Sequence, residues 1–433
     1  MGKRRQKRFE PYVLEDIILE KFVNGGQALG YHDGKPVFVW GGLPGEVGDV
    51  LVTKSKRGVL EGVVEKIKDR SDSRVEAKSE DEYLSTSPWQ ILDFKYENKV
   101  KLELLKQTFK HEAGINLGDI EMIHGKKEYG YRNKMEYNFW GDNDGVHLAL
   151  HKRGSGQKIM LEGSVLASNA INQVGKDLVR LLNEKKIFAG DLKSLVLRSN
   201  GLGECVGALF VKKKEFKQFE IPKSLKGLVC YYSDPKSPAS VKTAEVWRSG
   251  NINLTDKVCG VDLGYDVNSF FQVNVDIFER AIEDIGARVS SKTSQLTDFY
   301  GGVGSIGVLT SGDKPLKIVE IDEDNAEMAQ QNLARLNLKK AEIVCLPGEQ
   351  SLDSIVSDST LVVDPPRAGL HKRVVQQISE AKPKQVVYLS CNPVTQARDV
   401  KILLEAGYEI GFARGYNFFP KTPHIESLVV LER

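Results

Sequence analysis

From Phe270 to the C-terminus, short apolar runs typical of β-strands alternate with segments whose apolar residues recur at helical spacing. The strand-like runs include QLTDFY, LKIVEI, TLVVDPP and QVVYLS, with helical patterns such as EDNAEMAQQNLARLN between them. Parallel strands need a crossover helix, so this order predicts a doubly wound, mainly parallel α/β sheet. Ligands of such sheets bind beyond the carboxyl ends of the strands, where we therefore look for a site.

The 433 residues are too many for one ordinary core and indicate two or three domains. Strand-like runs separated by glycine-rich turns predict a small β-barrel in residues 1–70. Residues 71–262 mix strands and helical patterns and predict an α+β domain, whose helix near 88–112 is expected to pack on the third domain, residues 263–433. The charged stretch 68–82 is interpreted as a linker.

Composition excludes several protein classes. No apolar stretch approaches the length of a membrane span, and no apolar signal core follows the N-terminal residues, so we expect a cytoplasmic protein. The five cysteines are scattered without close pairing, which favours reduced thiols over a disulfide framework. The formal net charge of +2 means that any affinity for nucleic acid must come from local basic patches.

Two basic features can contact phosphates. The N-terminal MGKRRQKRF is either a phosphate-seeking arm or a solvated end, and the sequence favours neither. Lys54, Lys56 and Arg57 at the edge of the predicted barrel are typical of RNA-binding barrels, but a solvated charged edge explains them nearly as well.

A glycine-rich turn, GGVGSIG, follows the strand QLTDFY and opens a helix. Glycines allow backbone to approach a ligand closely, although such loops also bind dinucleotides or only form a turn. The next strand ends in Glu320, where a carboxylate can accept hydrogen bonds from ribose hydroxyls. Because the loop has no basic residue for phosphates, S-adenosylmethionine fits better than NAD or ATP.

Two later strand ends carry reactive side chains. LVVDPPRAGL places Asp364 and Arg367 on a loop stiffened by two prolines, where they can orient ligands, although a rigid turn is the plain alternative. YLSCNPVT places Cys391 just after a strand and before an Asn-Pro turn. A lone cysteine is usually a small buried apolar residue, so its position alone does not identify a nucleophile.

Six ordered motifs resemble the 5-methyluridine RNA methyltransferase family: YRNKMEY, FFQVN, DFYGGVG, DPPRAGL, YLSCNPVTQARD and FFPKTPHIESLVVLER. They span residues from about 130 to the C-terminus, and the first 70 residues resemble the TRAM domain, an RNA-binding β-barrel. The resemblance implies a Rossmann-like, S-adenosylmethionine-dependent catalytic domain at the C-terminus.

The resemblance also implies residue roles. Cys391 matches the nucleophile that adds to uracil C6, and Glu426 matches the base that removes the C5 proton after methyl transfer. Phe270 matches a residue that stacks on the target base, and Arg132 and Arg367 are expected to contact the substrate. The positions that match cofactor contacts are Gln272, Tyr300, Ser305, Glu320 and Asp364.

This sequence departs from the family pattern in three places. Many members hold an iron–sulfur cluster, but the corresponding stretch KSEDEYLSTSPWQ has serines, and Ser164 stands at the later site, so we predict no cluster and no metal. Lys421 and Pro423 replace common histidines in the last motif. Gly301 and Pro347 differ from the usual residues, so no adenine contact is assigned.

The substrate is expected to be RNA, with ribosomal RNA, most simply 23S, favoured over transfer RNA because of the barrel, and the protein is expected to act as a monomer without a membrane partner. An RNA 5-methylcytosine methyltransferase and a non-catalytic RNA-binding factor remain alternatives.

Overall fold

The structure is a computed structural model that describes residues 9–155 and 157–433. Most of the predicted basic N-terminal arm lies outside the described residues. The described residues form two compact units, the first comprising residues 9–104, 150–155, 157–159 and 419–424, and the second comprising residues 105–149, 160–418 and 425–433.

A closed five-stranded barrel forms the N-terminal part of the first unit, in the order β1-β2-β3-β5-β4. Apolar side chains such as Leu19, Val37 and Val50 alternate with exposed residues and fill its interior. The predicted small barrel is therefore confirmed. Its strands are β1 (Tyr12–Phe22), β2 (Ala28–His32), β3 (Lys35–Trp40), β4 (Val47–Lys56) and β5 (Val59–Asp69).

The segment after the barrel is folded onto it. Arg74 donates through Nε and Nη2 to the two carboxylate oxygens of Glu46, at 2.5 and 2.7 Å, and through Nη2 to the carbonyl oxygen of Gly41 at 2.8 Å. Glu46 is fully buried and needs such a partner. The indole of Trp89 donates to the carbonyl oxygen of Gly26 at 2.9 Å. The interpretation of residues 68–82 as a linker is therefore wrong.

The predicted helix near residue 88 begins only at Phe94, because the preceding residues form turns against the barrel. Inside the first unit, Lys101 and Lys421 are buried with Glu97, which pairs with the Lys101 ammonium at 2.9 Å. The short helix, the long helix and the small strand of this region are α1 (Tyr83–Thr86), α2 (Phe94–Ala113) and β6 (Met122–Ile123).

A seven-stranded sheet follows, in the order β13-β12-β11-β10-β7-β8-β9, and helix α3 (Asn169–Glu184) packs on its central strands. A separate hairpin, β14 (Asn253–Val258) and β15 (Val261–Asp266), leads towards the last sheet. The strands of the seven-stranded sheet are β7 (Lys134–Asp142), β8 (Gly145–His151), β9 (Lys158–Leu161), β10 (Leu192–Ser199), β11 (Cys205–Val211), β12 (Gly227–Tyr232) and β13 (Ala244–Gly250).

The C-terminal sheet has the order β18-β17-β16-β19-β20-β22-β21-β6. Its strands from β18 to β20 are parallel, and β22 joins them antiparallel. The predicted fold class is thus confirmed. The strands are β16 (Gln295–Phe299), β17 (Leu316–Glu320), β18 (Ala341–Cys345), β19 (Ser359–Val363), β20 (Gln385–Ser390), β21 (Glu409–Tyr416) and β22 (Glu426–Glu432).

Helices connect these strands, and their buried faces are apolar. They are α4 (Val275–Gly286), α5 (Ser305–Thr310), α6 (Glu323–Arg335), α7 (Lys372–Ala381) and α8 (Pro393–Glu405). Across the described part of the chain, no helix combines the length and the apolar character that a membrane crossing requires.

Candidate active site at the ends of the central strands

Cys391 follows the last residue of β20 and is half-buried. Asn392 caps helix α8 by accepting a hydrogen bond from the backbone nitrogen of Val394 at 3.2 Å, and Pro393 begins the helix. A proline is well tolerated at the first helical position, so the Asn-Pro pair starts the helix directly after the cysteine. The thiol therefore lies at a strand-to-helix turn, as predicted from the sequence.

Glu426 begins β22, the antiparallel neighbour of β20. The last pair of this ladder is Ser390 with Ser427, so Cys391 and Glu426 are the residues directly beyond it, and the charge of Glu426 acts on the Cys391 thiol. The buried side chain of Gln396 locks this register, since its Nε2 donates to the carbonyl oxygens of Tyr388 and Ser427, at 2.8 and 3.1 Å. The two predicted catalytic residues thus adjoin strand ends that Gln396 joins by hydrogen bonds.

The loop after β19 carries Asp364 and Arg367 and is attached to the start of α8. The carbonyl oxygen of Arg367 accepts hydrogen bonds from Asn392 Nδ2 at 2.8 Å and from Thr395 Oγ1 at 3.3 Å. The side chain of Arg367 remains exposed. Two side chains at the start of α8 thereby hold the backbone of the Asp-Pro-Pro-Arg loop.

The charges of this site are strongly coupled. Burial, and after it the carboxylates of Glu426 and Asp364, raise the pKa of the Cys391 thiol to about 12, and the guanidinium of Arg367 opposes this shift. Burial and then Asp364 raise the pKa of Glu426, and Arg367 again lowers it. Burial and the charge of Asp298 raise the pKa of Asp364. Since acidic groups outnumber the single guanidinium, this arrangement favours a cationic ligand.

The glycine-rich loop and Glu320 form one hydrogen-bonded unit. Glu320 is buried, and its two carboxylate oxygens accept hydrogen bonds from the backbone nitrogens of Gly302 and Asp322, each at 2.8 Å. Tyr300, at φ +64°, and Gly302, at φ +56°, turn the chain sharply before Ser305 starts α5. Each carboxylate oxygen keeps a second lone pair for a ribose hydroxyl, so the loop fits a nucleoside.

Asp298 is a residue that the sequence analysis missed. It is fully buried at the end of β16, and its Oδ2 accepts a hydrogen bond from the backbone nitrogen of Gly307 at 2.8 Å. Burial raises its pKa to about 7, with a smaller contribution from Glu320. The Asp298 carboxyl therefore binds the backbone of helix α5 at Gly307 and adds another acidic group to the site.

Phe270 and Gln272 lie on the segment between β15 and α4. Phe270 is 60% exposed, and its backbone nitrogen donates to Asn325 Oδ1 at 3.0 Å, so the ring faces solvent from a fixed backbone. Gln272 is buried, and its Nε2 donates to Asp364 Oδ2 at 3.5 Å. The segment thus connects an exposed aromatic ring with the Asp364 loop.

Arg198 organises this segment and was also missed. It is fully buried in β10, donates to the carbonyl oxygens of Asp266, Ser269 and Phe271, and lies 4.7 Å above the ring of Tyr265. Burial lowers its pKa to about 10. The sequence feature that could have identified Arg198 is its position as a charged residue inside the apolar run SLVLRSN.

Arg132 is half-buried beside this segment. Its backbone nitrogen donates to the carbonyl oxygen of Leu166 at 2.8 Å, and the adjacent Asn133 donates through Nδ2 to the carbonyl oxygen of Gln272 at 3.0 Å. The structure therefore brings five of the ten predicted site residues close together: Gln272, Asp364, Arg367, Cys391 and Glu426. Glu320 is hydrogen-bonded to the glycine-rich loop that also carries Tyr300 and Ser305, whereas Phe270 and Arg132 are placed by hydrogen bonds of their backbone.

The residues at the expected cluster positions do not fit an iron–sulfur cluster. Ser79 and Ser87 accept hydrogen bonds from Nε2 of the buried Gln90, at 2.9 and 2.7 Å. Cys205 and Cys230 are buried in strands of the seven-stranded sheet. Within residues 9–155 and 157–433, no three His, Cys, Asp or Glu side chains form a group that could hold a metal ion.

Comparison with known proteins shows which families and which relatives this chain is similar to. The sequence profile of the tRNA (uracil-5-)-methyltransferase family matches residues 239–433, and that of the TRAM domain matches residues 15–64. An RNA methyltransferase of Fusobacterium nucleatum is 26% identical over 100% of this chain and 98% of its own length. An RNA methyltransferase of Caldanaerobacter subterraneus is 28% identical over 96% of this chain and 98% of its own length.

A solved structure has the same fold. The Pyrococcus abyssi tRNA (uracil-54, C5)-methyltransferase, crystallised with S-adenosyl-L-homocysteine, aligns with a TM-score of 0.76 at 24% identity, covering 96% of this chain and 99% of the other. The matching profiles and the named relatives indicate an RNA methyltransferase. The acidic site and the loop that fits a nucleoside agree with that activity. Residues 239–433 of this chain therefore match the tRNA (uracil-5-)-methyltransferase family, and the chain is an S-adenosylmethionine-dependent RNA methyltransferase that acts at uracil C5 and carries an N-terminal TRAM domain.

Proposed function

We propose that the chain forms 5-methyluridine in ribosomal RNA, most simply 23S, through a covalent adduct between Cys391 and uracil C6. The observation that supports the proposal is that Cys391 and Glu426 both lie directly beyond the last pair of β20 and β22, Ser390 with Ser427, and that the charge of Glu426 acts on the Cys391 thiol. In this proposal the Cys391 thiolate adds to uracil C6, and the Glu426 carboxylate completes the reaction by removing the C5 proton.

The chemistry requires both groups. Uracil C5 is a poor nucleophile, but addition of the Cys391 thiolate to C6 moves the ring electrons to an enolate whose C5 is electron-rich. S-adenosylmethionine supplies the methyl group that C5 accepts. Glu426 then takes the C5 proton, the ring electrons return, and the bond between Sγ and C6 breaks. Burial and Asp364 raise the pKa of Glu426 above its usual range, and a more basic carboxylate accepts a proton more readily.

We assign cofactor binding to Gln272, Tyr300, Ser305, Glu320 and Asp364. Support comes from the free lone pairs of Glu320 and from the acidic surroundings of Asp364, which favour a sulfonium cation. These residues bind and orient the cofactor, and the hydrogen bond between Gln272 and Asp364 joins the two sides of its site.

We assign substrate binding to Phe270, Arg132 and Arg367. The exposed ring of Phe270 offers a face for an unstacked base, which the reaction needs because C5 and C6 cannot both be reached inside a helix. The exposed guanidinium of Arg367 can bind phosphate or uracil oxygen. Residues 1–70 are proposed to grip RNA, 71–262 to form the central domain and 263–433 to catalyse, in a cytoplasmic monomer.

Transfer RNA is the second candidate substrate. The Pyrococcus abyssi enzyme acts on a tRNA uridine, and its fold covers nearly the whole of this chain. Incubating the protein with methyl-labelled S-adenosylmethionine and unmodified 23S or transfer RNA transcripts, followed by mapping of the label, separates the two. Label confined to transfer RNA would replace the ribosomal assignment, whereas 5-methylcytidine as product, or no turnover, would contradict methylation at uracil C5.

The adduct is tested with two variants and one analogue. Cys391→Ala should lose both turnover and adduct, whereas Glu426→Gln should accumulate a methylated protein–RNA conjugate that resists denaturants on a gel. RNA with 5-fluorouridine should trap the unchanged enzyme, since fluorine cannot leave as a cation, and should not trap Cys391→Ala. An adduct in Cys391→Ala, or normal turnover in Glu426→Gln, would show that these roles are wrongly assigned.

A further inference from the structure

Leu202 lies at the tip of the hairpin between β10 and β11 and is 85% exposed. In the described residues, no other large apolar side chain is as exposed. Single exposed apolar residues are common on proteins, so this exposure needs a second observation before it indicates a function.

The second observation is that the tip is rigid. Asn200 Oδ1 accepts hydrogen bonds from the backbone nitrogens of Leu202 and Glu204, at 3.2 and 2.9 Å, and Asn200 Nδ2 donates to the carbonyl oxygen of Thr255 at 3.1 Å. The backbone nitrogen of Gly201 donates to Asp256 Oδ1 at 2.7 Å. Leu202 is therefore held in solvent at a fixed place by its neighbours.

The third observation is a cavity of about 430 Å³ next to the tip. Asn200, Gly201 and Gly203 form one side of it, and Val273 and Asn274, which follow Gln272, form another. The hairpin tip and the segment that carries Phe270 thus border the same space. Its volume lies within the range of small-molecule sites, so one nucleoside can enter it.

The lining of this cavity is polar and mixed in charge. Lys127 pairs with Asp276 at 3.2 Å, and Lys257 and Glu279 also border the space. Because cations and carboxylates are both present, the cavity suits the neutral, hydrogen-bonding edge of a base or a ribose better than a phosphate.

We propose that Leu202 is a wedge that enters the RNA base stack where the target uridine has left it, while the adjacent cavity receives a neighbouring unpaired nucleoside. The proposal rests on the proposed function and extends it to how the base is extruded. Extrusion breaks stacking contacts, and an apolar side chain inserted into the gap replaces part of them. A wedge must be exposed and rigid, and Leu202 is both.

The experiment compares Leu202→Ala and Leu202→Phe with the unchanged enzyme on two RNAs that contain the mapped uridine. In the first RNA the uridine is stacked within its natural fold, and in the second it lies in an unstructured strand. We expect Leu202→Ala to lower kcat/KM about tenfold on the folded RNA, the size of a lost stacking contact, and to leave the unstructured strand unaffected. Leu202→Phe should restore activity.

A 2-aminopurine next to the uridine adds a direct readout, since its fluorescence should rise when the unchanged enzyme binds and should rise less with Leu202→Ala. Phe188→Ala is the matched control, because Phe188 is 71% exposed but lies on a different segment from the hairpin tip whose neighbours line the cavity. Equal kcat/KM of Leu202→Ala and the unchanged enzyme on folded RNA, or equal losses on both RNAs, would overturn the wedge. Failure of the unchanged enzyme to methylate either RNA would instead refute the proposed function.

Discussion

The thiol of Cys391 is protonated in the resting site. Its pKa is raised to about 12, chiefly by burial and then by Glu426 and Asp364. Only the thiolate reacts with iodoacetamide, so we expect the rate of Cys391 alkylation to rise about tenfold per pH unit through the neutral range. Mass spectrometry of the Cys391 peptide measures this rate, with the exposed Cys345 as an internal reference.

Two substitutions should move the alkylation rate in opposite directions. Arg367→Met removes the cation that lowers the thiol pKa, so alkylation at a given pH should slow. Glu426→Gln removes a carboxylate that raises this pKa, so alkylation should become faster. If the alkylation rate of Cys391 changed in the same direction in both variants, or if the rate at Cys345 changed equally, this account of the charges around Cys391 would be contradicted.

At the scale of single elements, strand β10 supports the segment that carries Phe270 and Gln272 through Arg198. Arg198→Met would leave three carbonyl groups without their donor, so we expect a loss of about 3 kcal/mol in the free energy of unfolding and weaker S-adenosylmethionine binding through Gln272. Denaturant unfolding and calorimetric titration measure the two effects. Arg248→Met is the control, because Arg248 is an exposed arginine in a strand, and it should change neither the free energy of unfolding nor the affinity for S-adenosylmethionine. If Arg198→Met were as stable as the unchanged protein and bound S-adenosylmethionine as tightly, the supporting role of Arg198 would be refuted.

Most elements of the catalytic sheet are readable from the sequence, because buried strands such as TLVV and QVVYLS are continuous apolar runs with clear stops. The strand β21 was missed because EIGFARGY mixes glycine and charge, and β6 because it has two residues. The position of Cys391 at a strand end is predicted by the apolar run before it, whereas its role is implied only by the family resemblance. The ion pair between Glu46 and Arg74 was not predicted, because a contact between distant segments of the chain leaves no local sequence pattern.

At the scale of the whole molecule, the barrel cannot be removed cleanly at residue 70. Such a cut would uncover the buried Trp89, whose ring lies 5.0 Å from that of Phe22, and would leave Arg74 without Glu46. A deletion would therefore combine instability with any loss of RNA binding, and surface substitutions are the better test of the barrel.

Lys56 and Arg57 are exposed at the barrel edge and, within the described residues, take part in no ion pair, whereas Lys54 pairs with Glu61 at 2.8 Å. If RNA phosphates contact this edge, Lys56→Gln and Arg57→Gln should each weaken RNA binding and reduce the salt slope of log K by about 0.7 to 0.9. Lys54→Gln should have a smaller effect. Unchanged salt slopes would exclude this edge from the RNA contact.

The hydrogen-bonded serines around Gln90 lead to a prediction for the purified protein. Protein prepared without oxygen should be colourless, contain no iron and still methylate RNA, because serine hydroxyls do not replace the thiolates of a cluster. Metal analysis and visible absorption measure this. A brown protein with about four irons per chain would refute it.

The register between β20 and β22 also determines where the chain tolerates extra residues. One residue inserted between Glu426 and Ser427 would turn every following side chain of β22 to the other face of the sheet. Gly407 is different, since it lies in the exposed turn between α8 and β21, at φ +95°, with no atom within 4 Å of an added Cβ. A fluorescent reporter inserted there would lengthen the connection between Cys391 and Glu426 without separating them, and would give a labelled enzyme for following RNA binding in real time.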